Sequence, residues 1–373
     1  MIKYIVRRTI QAIPVLFGIT IVVYGILLAA PGGPTAKFAQ NPRITQEMKE
    51  DFKRAWGLDQ PVPVQYCRWM GFCSKEVDAK ILGVLPAPAA FIGPKGWPNL
   101  LPTPLSGASN GVLHGDFGFS ISTGELVNKA ISRAALPTLI LASSALVVWL
   151  VVAILIGVYA AIHRYSLFDQ AATVFAYVGY AMPTFWLGIM LIFLFSGPGL
   201  NILPAGGMTE TRVSPPFGSD DYWVYFGANT VAAILDIGKH LILPLFTLVV
   251  VSIAGDSRFV RASMLEALGQ DYVRTAKAKG LPARTVTFKH ALRNAMLPVV
   301  TNIGLELPLL FTGAIVTETI FSWPGMGRLT IQAINSFDYP VLMGILLIAA
   351  TLTVFANLLA DVAYAVVDPR ITY

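Results

Sequence analysis

An all-helical membrane protein with six transmembrane helices is the fold class this sequence predicts. Three observations carry that reading: overall apolarity, six apolar runs of spanning length, and a basic segment wedged between two of those runs. Hydrophobic residues make up 55% of the 373 positions and charged residues 13%, with a mean hydropathy of +0.64. One water-soluble core could not hide so much apolar surface, so lipid must be part of the solvent. The formal charge of +6 raises nucleic acid as a partner. Its basic residues, however, gather in short segments beside apolar runs without interleaved aromatics, which fits anionic lipid headgroups and not nucleic acid.

A crossing needs about 20 apolar residues. Runs of that kind cover about 10–30, 136–162, 168–196, 240–260, 295–317 and 341–366. The first follows MIKYIVRR and has no small-residue cleavage pattern after it, so it reads as a retained anchor. Between residues 258 and 293 stand eight bases (Arg258, Arg261, Arg274, Lys277, Lys279, Arg284, Lys289, Arg293) against two acids, Glu266 and Asp271. Such an excess beside membrane spans marks the cytoplasmic face. An even number of crossings then puts both termini inside, where Lys3, Arg7, Arg8 and Arg370 obey the same rule. Within the basic segment, alanines and long straight side chains predict a helix from Ala262 to Lys279, with Gly280 as its stop and Pro282 beyond.

Three parts follow: residues 1–30, a cytoplasmic end and first span; 31–133, an extracytoplasmic loop region; and 134–373, a core of five spans holding the cytoplasmic loop 258–293. Ile44, Met48, Phe52 and Trp56 recur every four residues before Gly57 and predict an amphipathic helix over Thr45–Trp56. Residues 83–111 are rich in Pro, Gly and Asn and read as loop. A second outer loop, about 197–239, holds PPFGSDDYWVYFG and reads as an ordered surface patch. Both cysteines, Cys67 and Cys73, fall in the first outer loop; in an oxidising compartment they could bridge, with two free thiols as the alternative.

Catalytic chemistry finds no support. The histidines (His114, His163, His240, His290) are scattered, and no metal-ligand spacing, nucleophile elbow or phosphate-binding loop occurs. No catalytic residue and no metal site is assigned. Charged residues inside the spans are scarce, so the exceptions carry information. Asp256 and Asp361, toward cytoplasmic span ends, are expected to pair with Arg258 or another inner-face base. Glu306, near the middle of the fifth run, would cost on the order of 3 kcal/mol in lipid unless it met a cavity or a partner, which makes a pathway role the default. Asn302 lies one turn earlier and Pro308 just after, as in an irregular wall lining a cavity; a bond across a helix interface is the alternative.

EALGQDYVRTAKAKGLPARTVTFKHALRNAMLPVVT, from Glu266, resembles the cytoplasmic loop of permease subunits of binding-protein-dependent ABC importers, in their dipeptide, oligopeptide and nickel branch. MIKYIVRRTIQAIPVLFGITIVVY, GLDQPVPVQYCRWM, GDFGFS, ETIFSWPGMGRLTIQAINSFDYPVLMG and NLLADVAYAVVDPRI resemble further elements of that branch in order, over nearly the whole chain. One departure is an insertion around 71–113, which separates Trp69 from Gly115 and puts in doubt how a binding protein docks here. The resemblance implies a type I ABC importer permease fold and half of a translocation pathway for short peptides in a bacterial inner membrane. Its implied partners are a second homologous permease, two cytoplasmic ATPases that use ATP and magnesium, and an extracytoplasmic binding protein; this chain itself would bind no cofactor. The helix around Tyr272, Arg274, Thr275, Ala276, Lys277, Ala278, Lys279, Gly280 and Leu281 would then couple to an ATPase. Rival readings are an importer of nickel or another small solute, and an ion-coupled secondary transporter.

Cysteine-accessibility labelling checks the orientation. Cysteines introduced at Gly93 and Ser219 are expected to react from outside sealed cells, and one at Gln270 only from inside; labelling of position 270 from outside would reverse the topology.

Overall fold

The computed structural model describes residues 2–29, 58–72, 111–197, 199–306 and 314–367, with single positions 46, 50 and 53. Among these the chain is helical, and one isolated antiparallel bridge, Phe119 with Leu126, stands where no strand forms. In order come α1 (Ile2–Ala29), α2 (Val62–Met70), α3 (Val127–Ile162), α4 (Leu167–Ala181), α5 (Thr184–Phe195), α6 (Asp220–Ala228) and α7 (Thr230–Gly269). The carboxyl half adds α8 (Asp271–Ala278), α9 (Leu292–Glu306), α10 (Ile315–Ile320), α11 (Met326–Asn335) and α12 (Tyr339–Val367). Two compact units result, one of Met1–Thr9, Ala135–Arg328 and Leu352–Tyr373, the other of Ile10–Ala134 and Leu329–Thr351.

Four helices among the described residues are long and apolar enough to cross a membrane: α1 over Arg7–Ala29, α3, α7, and α12 over Tyr339–Leu358. The third apolar run differs from one straight span. It divides into α4 and α5, which bend by 100° and together could make a fifth crossing. Pro183 explains the break, because it lacks an N–H to continue the ladder and drives Met182 before it into an extended conformation (ψ 122°). The fourth run is longer than its apolar stretch. α7 starts at Thr230, since no proline separates it from His240 and the single Gly238 is tolerated, and at 40 residues it extends about 60 Å, twice the apolar thickness of a bilayer. Most of the expected helix at 45–56, the loop at 83–111 and residues 307–313 of the fifth run lie outside the described residues.

In the second unit, α2 lies on α1 through an aromatic cluster. Tyr66 meets Tyr24 edge-on at 5.5 Å between ring centroids, and Trp69 sits 5.3 Å from Tyr24. Tyr24 donates its hydroxyl to Gln65 at 3.1 Å, which gives the buried phenol a partner. Gly71 and Gly111 meet: a Cβ on Gly111 would fall 2.4 Å from the Gly71 Cα, so the described residues on either side of 73–110 lie against each other. Only glycine permits so close an approach, and Gly111 also holds φ +79°. The GDFGFS and NSFDYP stretches, far apart in sequence, join at Asp338. This buried carboxylate accepts hydrogen bonds from the hydroxyls of Ser120 and Ser122 and from the backbone N–H groups of Ile121 and Ser122.

In the first unit, the ETIFSWPGMGR turn folds around Glu318, which is fully buried. Its carboxylate accepts from the Thr138 hydroxyl of α3 at 2.8 Å and from the Arg328 N–H at 3.1 Å. Trp323 completes the link by donating its indole N–H to the Pro137 carbonyl at 2.9 Å. Burial pushes the Glu318 carboxyl above the ordinary glutamate value, opposed by the hydrogen bonds from Thr138 and from backbone N–H groups. Gly325 is required here, because a Cβ would lie 2.5 Å from both the Glu318 carboxyl and the Thr138 hydroxyl oxygen.

Removing the Glu318 acceptor strands the Thr138 hydroxyl and two or more N–H groups. Glu318→Ala is expected to cost about 3 kcal/mol, read as a lower thermal midpoint of the purified protein in detergent, whereas Thr138→Ser, which keeps the hydroxyl, stays within about 1 kcal/mol of the parent.

Candidate functional site

The loop after α7 is the best-formed feature of the inner-face segment. The expected helix over 262–279 is in fact two: α7 ends at Gly269, Gln270 turns extended (ψ 152°), and α8 restarts at Asp271. Gly269 is a poor helix former, and Asp271 in the first turn of α8 complements its amino-terminal dipole. α8 closes with paired bonds, Gly280 N–H to the Lys277 carbonyl at 2.9 Å and Leu281 N–H to the Ala276 carbonyl at 3.4 Å. That pattern needs a left-handed residue, which Gly280 supplies with φ +74°. No atom lies within 4 Å of a Cβ built there, so backbone strain, not crowding, is what a side chain at this position would meet.

Two residues seat α8. Val273 and Ala276 are buried in a cluster with Val158 and Ala161 of α3, Val260, Met264 and Ala267 of α7, Val286 and Ala291 at the ends of the π-helical stretch Val286–Ala291 that precedes α9, and Ala295 and Val299 of α9. Burying Val273 stabilises the seat by about 2 kcal/mol. Ala276, counted among the coupling residues from the sequence, faces this core and lets the helix sit close to it. Tyr272, Arg274, Thr275, Lys277, Ala278, Lys279, Gly280 and Leu281 are exposed. The Arg274–Asp271 pair at 3.5 Å is also exposed and leaves the guanidinium free to exchange partners. The face therefore combines a ring and an aliphatic side chain with bases, on a short rigid helix.

A bidentate ion pair anchors the stem. Arg261 of α7 donates to both carboxylate oxygens of Asp169 on α4, at 2.5 and 2.8 Å. Asp169 also accepts the Tyr165 N–H at 2.9 Å and is itself buried, so the turn between α3 and α4 is fixed to the rod that carries α8. Pattern reading had not singled out this pair, because its members lie 92 positions apart.

Asp256 does not pair with Arg258. Two positions apart on a helix, the side chains point to different sides. Arg258 instead stacks on Tyr177 at 4.2 Å from the ring centroid, while Asp256 accepts from the Trp149 indole at 2.6 Å and from the Asn302 amide at 3.4 Å. Asn302 thus meets another span. Glu306 is the last residue of α9, and its side chain and that of Asp361 lie outside the described residues, as does Cys73; Cys67 is on α2. Among the described residues no three His, Cys, Asp or Glu side chains gather to hold a metal.

Residues 153–373 match the family model for the inner membrane component of binding-protein-dependent transport systems, and residues 1–93 match that for the amino-terminal part of such components. The chain belongs to this permease family. The permease is 38% identical over 374 residues to the oligopeptide transport system permease protein of Bacillus subtilis, with the whole of both chains covered. It is 37% identical to the dipeptide transport system permease protein of Escherichia coli, over all of this chain and 99% of the other. A third relative, the di/tripeptide transport system permease protein of Pseudomonas aeruginosa, is 33% identical over the same shares.

Breaking the stem of the permease on one side leaves a buried charge. Arg261→Gln is expected to destabilise by about 3 kcal/mol, and adding Asp169→Asn should recover part of that loss. Thermal unfolding of the two single variants and the double variant checks the coupling.

Proposed function

We propose that this permease forms half of the pathway of an ATP-driven importer for short peptides. Relatives at 33–38% identity carry peptide in their names, and the seated, exposed, basic α8 is the observation that carries the mechanism. In this reading the chain crosses the membrane six times with both termini inside and a large loop outside. The segment starting with α9 supplies the crossing that the described long helices do not. A second homologous permease completes the pathway. Two cytoplasmic ATPases bind ATP and magnesium and receive one α8 from each permease, and an extracytoplasmic binding protein delivers the peptide. Cys67 and Cys73 bridge at the foot of the inserted segment, and Asn302 and Glu306 contribute to the pathway wall.

The chemistry of α8 suits the task. Val273 and Ala276 tie it to α3, α7 and α9 at once, so force on the peg reaches three helices without a flexible joint. Tyr272 and Leu281 can fill a shallow apolar groove while Arg274, Lys277 and Lys279 meet acidic or carbonyl groups around it. ATPase closure would thereby shift the spans between inward-facing and outward-facing states.

Gly280 provides the test. Gly280→Val forces a β-branched residue into left-handed backbone and is expected to abolish uptake and weaken co-purification of the ATPases, with membrane insertion intact. Gly280→Asn, which tolerates that conformation, should retain most of both. Normal uptake and co-purification in the Val variant would remove the coupling role.

A further inference from the structure

Asp256 is a carboxylate set inside an apolar span, between the buried Ile253 and Val260 of α7. A charge there is costly unless it serves something, since the same three-helix bond could be made by an uncharged amide. Its described partners are both neutral: the Trp149 indole N–H on α3 and the Asn302 amide on α9. Two neutral donors orient a carboxylate and occupy part of its roughly four acceptor sites, but they do not cancel its charge. The nearest guanidinium in sequence, Arg258, is engaged on Tyr177. Asp256 is only half-buried, so it is not sealed into the core.

Its surroundings point along a path. On α9, Asn294, Pro298 and Asn302 share one face at four-residue steps, the first two exposed and the third half-buried. Pro298 lacks the N–H that would bond the Asn294 carbonyl, so two amide side chains and a backbone carbonyl mark that face between the coupling loop and the Asp256 carboxylate. A polar edge of that kind, on the helix that returns from the coupling loop, would be wetted whenever the permease opens inward. A passing peptide always carries an ammonium at its amino terminus, and some carry Lys or Arg as well.

Resting on the peptide-importer reading, we propose that Asp256 is the substrate-contacting carboxylate of the inner half of the pathway. It meets cationic groups of the passing peptide, and Trp149 and Asn302 act as positioning residues that hold it toward the polar edge. A fixed negative charge at a narrow, low-dielectric point lowers the barrier for a cation without retaining it, provided no cation of the protein is locked to it.

The experiment uses the whole importer in proteoliposomes with ATP and saturating binding protein, and reads initial uptake of Ala-Lys-Ala and Ala-Glu-Ala. Their ratio does not depend on how much protein is correctly folded. In Asp256→Asn the ratio of cationic to acidic peptide is expected to fall about tenfold from the parent, the loss of one charge-assisted contact. Asp256→Glu should keep the ratio near that of the parent, and Trp149→Phe should shift it in the Asn direction by less. An unchanged ratio in both Asp256→Asn and Trp149→Phe, with or without slower uptake, would overturn the proposal and leave Asp256 a packing residue. Should Asp256→Asn fail to assemble, an unshifted ratio in Trp149→Phe overturns it alone. No uptake of either peptide by the parent importer would defeat the peptide reading itself, and the proposal with it.

Discussion

Helices in lipid gain little by turning apolar faces toward one another, because the lipid tails are as apolar as the partner helix. Close approach and polar bonds must therefore choose which helices pair, and both devices are visible in the first unit. A Cβ on Gly157 of α3 would lie 2.7 Å from the Ser257 carbonyl of α7, and one on Gly179 of α4 would lie 3.2 Å from Ala254 of α7. The same helix pairs also carry carboxylate bonds: Asp169 of α4 to α7, and Asp256 of α7 to α3 and α9. Glu318 does the same for the turn before α11. The apolar composition delivers the chain to the membrane, and these few polar groups specify its interior.

The two acids on the α7 interface are treated differently, and the difference follows from their partners. Asp169 is locked by a guanidinium in fork geometry, which fixes distance and orientation at once. An ion pair so arranged is costly to open, because either member alone would be an uncompensated buried charge. It suits a joint that moves as a unit. Asp256 is held by neutral donors, whose bonds can be exchanged for another polar partner at a smaller cost. Rigidity at one level and exchangeable bonding a turn and a half away stand on one helix that is unbroken between them.

Much of this arrangement was legible in the sequence. Apolar runs located the long helices, and the Gly280 and Pro282 pair located the end of α8, since both signals act within a few residues. What was not legible depends on separation. The Asp169–Arg261 and Asp338–Ser120 bonds join residues 92 and 218 positions apart, and no local periodicity encodes them. The break at Gln270 was missed because the alanines and long straight side chains around it outweigh the single Gly269 when propensity is read over 262–279; the seat for Val273 and Ala276 adds a tertiary constraint that no local pattern shows. Pairing of Asp256 with Arg258 was mistaken for a simpler reason: proximity in sequence is not proximity around a helix.

α7 connects the two ends of the functional argument. From Asp256 to its end at Gly269 the continuous helix rises about 20 Å. Below Asp256 it is pinned by Arg261 to Asp169 and packed through Val260, Met264 and Ala267 into the same cluster that holds α8. Above Asp256 lies Pro244, which removes one backbone N–H from the ladder and is the intrinsically weakest point of the rod. In the proposed coupling, a displacement applied at α8 would pass Asp256 before it met Pro244. On the other side of the loop, α9 contains Pro298, one turn before Asn302, which removes a backbone N–H from the return helix as well. In the proposed coupling, the Asp256–Asn302 bond, at 3.4 Å the longer of the two on that carboxylate, would be the weaker of its two ties to neighbouring helices.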